Sequence, residues 1–279
     1  MGFNAKMKQI NPILGIWSQF DWLLYFLVIP MFLFILYFLP FSVKQYFILQ
    51  SNNPTVLSIF FNHYIHSEFI YLLNNLVIYL TIIFLLYNLE YNKKRFYLVS
   101  TLFFLIIPII VSLTLLFLIP NIFQMQGFSA INAGFIGYLI YSVYNYLRIK
   151  YVYIKLSFFC LIISINFSLL CIINNFDISI TMIMNIMVLF FLLIEFSSIK
   201  KLFHEFLIKI KEIPKKKLFE LYYKVSIVLF TFVMIYSLPI LMPFKITEGN
   251  MMINTVGHYL GWVFGFILPI FIDFLYPHN

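Results

Sequence analysis

A serine and a histidine carry the strongest chemical suggestion in this chain. Ser129 stands in "GFSAINAGFIG", residues 127 to 137, and His258 in "GHYLGWVFG", residues 257 to 265. A serine hydroxyl is a poor nucleophile until a base takes its proton, and an imidazole can do so near neutral pH. The pair is a candidate unit for acyl transfer. That chemistry also needs donors for a developing oxyanion. "FNHYIHSEFIYLLNN", residues 61 to 75, offers His63, His66, Tyr71, Asn74 and Asn75. His66 and Asn75 are nine residues apart, about 180° by helical phase. They serve one spot only if His66 lies in an irregular start of the helix. An orienting acid helps a triad without being obligatory, and the shortage of nearby carboxylates argues for a dyad.

The elements that must position these groups are membrane helices. The chain of 279 residues is 63% hydrophobic and 10% charged, outside the range of soluble domains. Its long apolar runs do not alternate as β-barrel strands do. Spanning a bilayer as helix takes roughly 20 apolar residues, and eight spans are expected: 22–40, 66–89, 96–119, 128–147, 156–173, 178–197, 225–242 and 255–275. The breaks carry turn and charge signals such as "SNNPT", "NKKR", "NNFD" and "MPFKITEGN". With the N-terminus inside, sixteen of the eighteen Lys and Arg fall in inner segments, and only Lys44 and Lys245 lie outside. This asymmetry sets orientation and puts both termini in the cytosol of a multi-pass, plasma-membrane protein. The net charge of +8 is thus a topology signal, and no basic domain suggests a nucleic-acid partner. The basic segment 200–224 is expected as an amphipathic inner-face helix broken at Pro214. No secretory cleavage pattern follows the N-terminus, and Lys6 occupies the position where myristoylation wants Ser or Thr.

Two faces of small residues stand out within the spans. Ser129, Ala133 and Gly137 fall at i, i+4 and i+8, with Ala130 and Gly134 beside them. His258, Gly261 and Gly265 fall at i, i+3 and i+7. Small faces let membrane helices approach closely, and two such faces packed together would set the hydroxyl beside the imidazole near the outer ends. Asn74 and Asn132 are expected to make helix–helix polar contacts. His63, His66 and Glu68 do not form the ligand set of a catalytic metal, nor the HExxH pattern, so no metal or other cofactor is expected. Cys160 and Cys171 are ~16 Å apart along one helix, too far to bridge.

These pieces together resemble the rhomboid family of intramembrane serine proteases. "FNHYIHSEFIYLLNN" resembles the family's second core helix. "LE" at Leu89–Glu90 with "NKKRF" resembles the acidic-then-basic turn after it. "GFSA" resembles the nucleophile motif and "GHYLGWVFG" the last core helix. They occur in family order across residues 60 to 275. The resemblance implies an all-α polytopic membrane protein, one transmembrane domain over 1–279, with a rhomboid-like six-helix core and about two additional transmembrane helices. Residues 22–147 would hold core helices one to four, 148–242 the fifth and the two extra spans with the basic cytosolic loop 200–224, and 255–275 the last. It implies Ser129 as nucleophile, His258 as base, and oxyanion help from Asn75 and the Ser129 N–H. His66 would orient the outer loop, with Gly127 in the nucleophile motif. Tyr71 stands where many members have an oxyanion-hole histidine, and Ala130 replaces the usual glycine. The implied partners are transmembrane protein substrates within the lipid bilayer. A rhomboid-like protein that binds helices without cutting them is the main rival. A transporter predicts an inverted repeat or continuous polar path, and the sequence offers neither.

Overall fold

A computed structural model describes residues 17–118, 124–211, 218–241, 247–248, 251–252 and 255–275. The described chain is almost wholly helical. It runs through α1 (Gln19–Tyr37), two short helices, α2 (Phe41–Lys44) and α3 (Val56–Phe61), then α4 (Phe69–Leu89), α5 (Lys93–Leu118), α6 (Ser129–Lys150), α7 (Leu156–Ile173), α8 (Ile178–Lys211), α9 (Leu218–Leu241) and α10 (Thr255–Leu275). A two-residue antiparallel ladder, Thr247–Glu248 with Met251–Met252, precedes α10.

Among the described residues seven helices are long and apolar enough to cross a membrane: α1, α4, α5, α7, α8, α9 and α10. The chain is therefore a polytopic helical membrane protein. The expected fourth span is α6. Its 22 residues extend about 33 Å, but Asn132, Gly134, Gly137, Ser142 and Asn145 dilute its apolarity. It tolerates them because it meets protein rather than lipid: every residue from Ala130 to Ser142 is buried. Around it lies a close aromatic packing in which Tyr79, Phe103, Phe128, Phe135 and Tyr138 are fully enclosed.

Successive long helices reverse direction, as side-chain pairings at both ends show. Trp17 stacks on Tyr87, and Tyr37 lies against Phe69, so α1 and α4 are antiparallel. Tyr71 meets Ser129, and Tyr138 meets Glu90, so α4 and α6 are parallel, with α5 running back between them. Phe159 touches Tyr144, and Phe167 touches Trp262. Asn185 pairs with Ser168, and Glu195 with Ser157. Tyr223, at the start of α9, bonds Asn88 at the end of α4. Hence α4, α6 and α10 all begin at one end of the molecule, and the lysine-rich turns gather at the other.

Local chemistry accounts for several details. Ser18 and Asp21 form a capping box at the start of α1, satisfying N–H groups that have no acceptor in the first turn. Pro30 cannot donate a backbone bond, and a π-helical turn at Leu24–Val28 takes up the defect before it. The expectation of a separate inner-face helix from residue 200 is corrected. The sixth span and "KKLFHEFLIKIK" form one continuous 34-residue helix, Ile178–Lys211. Nothing between Phe196 and Lys211 breaks a helix, because lysine, leucine and glutamate all favour it. Helix resumes at Leu218, so residues 218–224 belong to α9 rather than to a loop. Pro214 lies outside the described residues.

Candidate active site

Ser129 is the first residue of α6, and His258 lies in the first turn of α10. The two helices touch backbone to backbone. A methyl group added to Gly261 would overlap the carbonyl of Ala130, one added to Gly265 the carbonyl of Gly134, and one added to Gly137 the carbonyl of Trp262. These contacts pair positions whose numbers differ by 125 to 131. Ser129 and His258 differ by 129, so the parallel register sets them at the same level. The α6 side of the contact is Ala130, Gly134 and Gly137, all within the expected small face, on the edge away from Ser129 and Ala133. Ser129 thereby sits at the margin of the seam, half-buried.

The turn before Ser129 is held from three directions. Gly127 has φ +116, a left-handed conformation that favours glycine. The Tyr71 ring fills the space that a side chain at 127 would need. The Gly127 N–H donates to the Asn62 carbonyl at 2.9 Å, and the Phe128 N–H to His66 Nε2 at 3.4 Å. His66 is fully buried and precedes α4, which starts at Phe69. It is therefore free of the helical phase that separates it from Asn75. Burial pulls its pKa down to about 4, with the Lys44 charge adding to the effect, and pulls that of His63 down to about 3. A neutral imidazole can accept at Nε2, whereas a protonated one cannot.

Behind this turn lies a cluster the sequence reading did not find. Asn62 Nδ2 donates to Ser112 Oγ at 2.8 Å and to the Ser58 carbonyl at 2.5 Å. Ser112 in turn donates to the Ile59 carbonyl at 2.8 Å and lies 3.4 Å from His63 Nε2. His63 was marked in the sequence, but its partner was not: Ser112 is a lone serine in the apolar run "IIVSLTLL".

Tyr71 Oη donates to Ser129 Oγ at 3.1 Å. Because the tyrosine fills one acceptor site on Oγ, the serine's own proton stays available to a base. Asn75, one turn further along α4, donates through Nδ2 to the Tyr71 carbonyl at 2.9 Å. It accepts from Asn132 Nδ2 at 3.1 Å, and its carbonyl accepts from the same amide at 2.9 Å. An amide carries two N–H donors, so one proton of Asn75 is not consumed by the Tyr71 bond. Asn132 makes the expected interhelical contact. Asn74 makes none among the described residues: it lies 100° round from Asn75 on the exposed face of α4. The Ser129 N–H belongs to the first turn of α6, where amides lack helical acceptors and the dipole end is positive. The arrangement collects a hydroxyl, a phenol, an amide and a backbone N–H, with an imidazole on the helix packed alongside. Among the described residues no group of three or more His, Cys, Asp or Glu is placed to hold a metal ion; Glu68 is exposed while His63 and His66 are enclosed.

Fold and site together define a polytopic helical membrane protein whose innermost helix opens on a serine held by tyrosine. Compared with protein-family models, curated proteins and solved structures, the chain matches none of them.

Proposed function

We propose that this protein is a rhomboid-type intramembrane serine endopeptidase that cuts transmembrane substrates near the outer face of the membrane. The observation that carries the proposal is the glycine-seamed packing of α6 and α10, whose register sets residues 129 and 258 level, with Tyr71 bonded to Ser129. In this reading α1, α4, α5 and α6 are the first four core helices, α9 and α10 the last two, and α7 with α8 the additions. The eight passes leave both termini in the cytosol of the plasma membrane.

His258 takes the Ser129 proton, and Oγ attacks the scissile carbonyl. The oxyanion meets the Ser129 N–H, the second amide proton of Asn75 and the Tyr71 hydroxyl. His258 returns its proton to the leaving amine, and water then hydrolyses the acyl-enzyme through the same base. Tyr71 suits this sequence of events, because Oγ becomes a weaker acceptor as it bonds to the scissile carbon, and the phenol is then released to the oxyanion forming on that carbon. A helical substrate shields its peptide groups in internal bonds, so good substrates carry small or helix-weakening residues near the cut.

The test is incubation of purified protein, Ser129→Ala and His258→Ala with a single-span model substrate and a fluorophosphonate probe. Cleavage and labelling by the unaltered protein, both abolished in the two variants, is the expected result. No cleavage and no labelling of the unaltered protein would overturn the proposal. It would leave the rival reading, helix binding without cutting, which the commitment of one Asn75 amide proton to Tyr71 favours.

A further inference from the structure

The two helices beyond the six-helix core present the most informative unassigned feature, because α7 touches the helix that carries His258. Phe167 meets the Trp262 ring edge-on, with centroids 4.9 Å apart. Two turns further toward the basic end Phe159 lies 6.3 Å from Phe266 and 5.1 Å from Tyr144 of α6. Trp262 is 1% exposed, and its Nε1 has no hydrogen-bond partner among the described residues. Its position is therefore set by ring packing, through Phe167 and its own neighbour Phe266 at 5.2 Å.

The geometry of α10 gives this contact a consequence. At about 100° per residue, Gly261 and Gly265 define one face and Trp262 and Phe266 another, about 100° round. His258 falls between them, about 60° from Gly261 and about 40° from Trp262. Glycine contacts limit how far α10 stands from α6, but a face without side chains resists rotation weakly. Rotation about the α10 axis is the motion that swings the imidazole away from Ser129. The aromatic face, keyed into α7, opposes that rotation.

We infer that α7 is a brace for the catalytic base, and that Phe167 is a positioning residue acting on His258 through Trp262. The inference rests on the protease reading. A misplacement of about 1 Å in a reacting group can cost as much as 100-fold in rate; removal of one ring contact is expected to cost about tenfold.

The experiment compares the unaltered protein with Phe167→Ala, Phe167→Leu and Phe190→Ala in detergent, by fluorophosphonate labelling rate and by kcat and KM on the model substrate. Phe190 is an exposed residue of α8 and its variant should match the unaltered protein. Phe167→Ala should label about tenfold more slowly, with kcat reduced and KM unchanged. Phe167→Leu, which restores most of the volume but not the ring, should recover only part of that loss and stay severalfold below the unaltered protein in kcat. Labelling of folded Phe167→Ala at the unaltered rate would overturn the brace, as would a rise in KM with kcat unchanged. Should Phe167→Ala fail to fold, Phe167→Leu decides alone: a severalfold loss confined to kcat supports the brace, and the unaltered rate overturns it. Absence of labelling in the unaltered protein is a distinct result, which overturns the protease reading itself.

Discussion

Tyr71 and His66 are the residues through which the site can be probed most finely. Tyr71→Phe removes the one hydroxyl bonded to Ser129 Oγ while keeping the ring that fills the space at Gly127. The loss of one hydrogen bond, about 1.4 kcal/mol, predicts a fall in kcat/KM near tenfold, read by substrate cleavage. His66 and His63 set an acid limit. Both remain neutral in the folded loop and, when the loop opens, take up a proton below about pH 6.5. Stability from these groups is thus complete above pH 6.5 and declines as pH falls toward about 4, by about 1.4 kcal/mol per unit for each histidine. Protease nicking of the 56–66 segment in Ser129→Ala should rise across that window, and His66→Gln should narrow the rise. The packing of the two helices that carry Ser129 and His258 was legible in the sequence, because small-residue spacing predicts which helices meet. The Tyr71 contact and the Asn62–Ser112 cluster were not, because they join residues 58 and 50 positions apart through a loop whose path no local pattern dictates.

At the scale of helices, the seam between α6 and α10 makes a discriminating prediction. Gly261→Ala and Gly265→Ala each drive a methyl into backbone, which cannot yield. Gly134→Ala meets the Ile107 Cδ1 end at 2.7 Å and otherwise only ordinary contacts, and a side-chain end can rotate. The first two should destabilise by about 1–3 kcal/mol and lower probe labelling, whereas Gly134→Ala should stay near the unaltered protein in a detergent melt. Periodicity anticipated that the two small faces would meet, but not that the Ala130–Gly134 edge of the α6 face would carry the contact rather than the Ser129–Ala133 edge. A stripe of small residues is wide enough to pack on either edge, and only the surrounding aromatic rings choose between them. The continuous α8 was missed for a related reason: hydropathy marks where lipid ends, and a helix can continue past that point.

Across the whole molecule, the end opposite the serine is fastened by buried charge. Arg95 donates to Glu90 at 2.5 Å and 3.2 Å and to Asp273 at 2.6 Å. Glu90 also accepts from Tyr138 at 2.7 Å and Ser142 at 3.2 Å, and Asp273 from Tyr141. The network ties the end of α4, the start of α5, the middle of α6 and the end of α10. Composition placed these charges at the basic end without revealing that they meet. Removing one partner from a buried set leaves uncompensated charge, at a cost of about 3–5 kcal/mol. Arg95→Met is therefore expected to lower the melting temperature sharply, and more than Lys224→Met, whose pair with Glu220 is solvent-exposed.

The enclosed, polar character of α6 has a consequence for how the protein is made. A helix that falls short of the apolarity needed to enter lipid unaided must be received by other helices as it leaves the ribosome. Its glycine seam is completed only by α10, and residues 151 to 254, 104 in all, are synthesised in between. At typical elongation rates that is about 5–20 s. Through that interval the nascent chain carries a small-residue groove with no partner, and the order of biogenesis makes this the stage at which an insertase or membrane chaperone has something to hold.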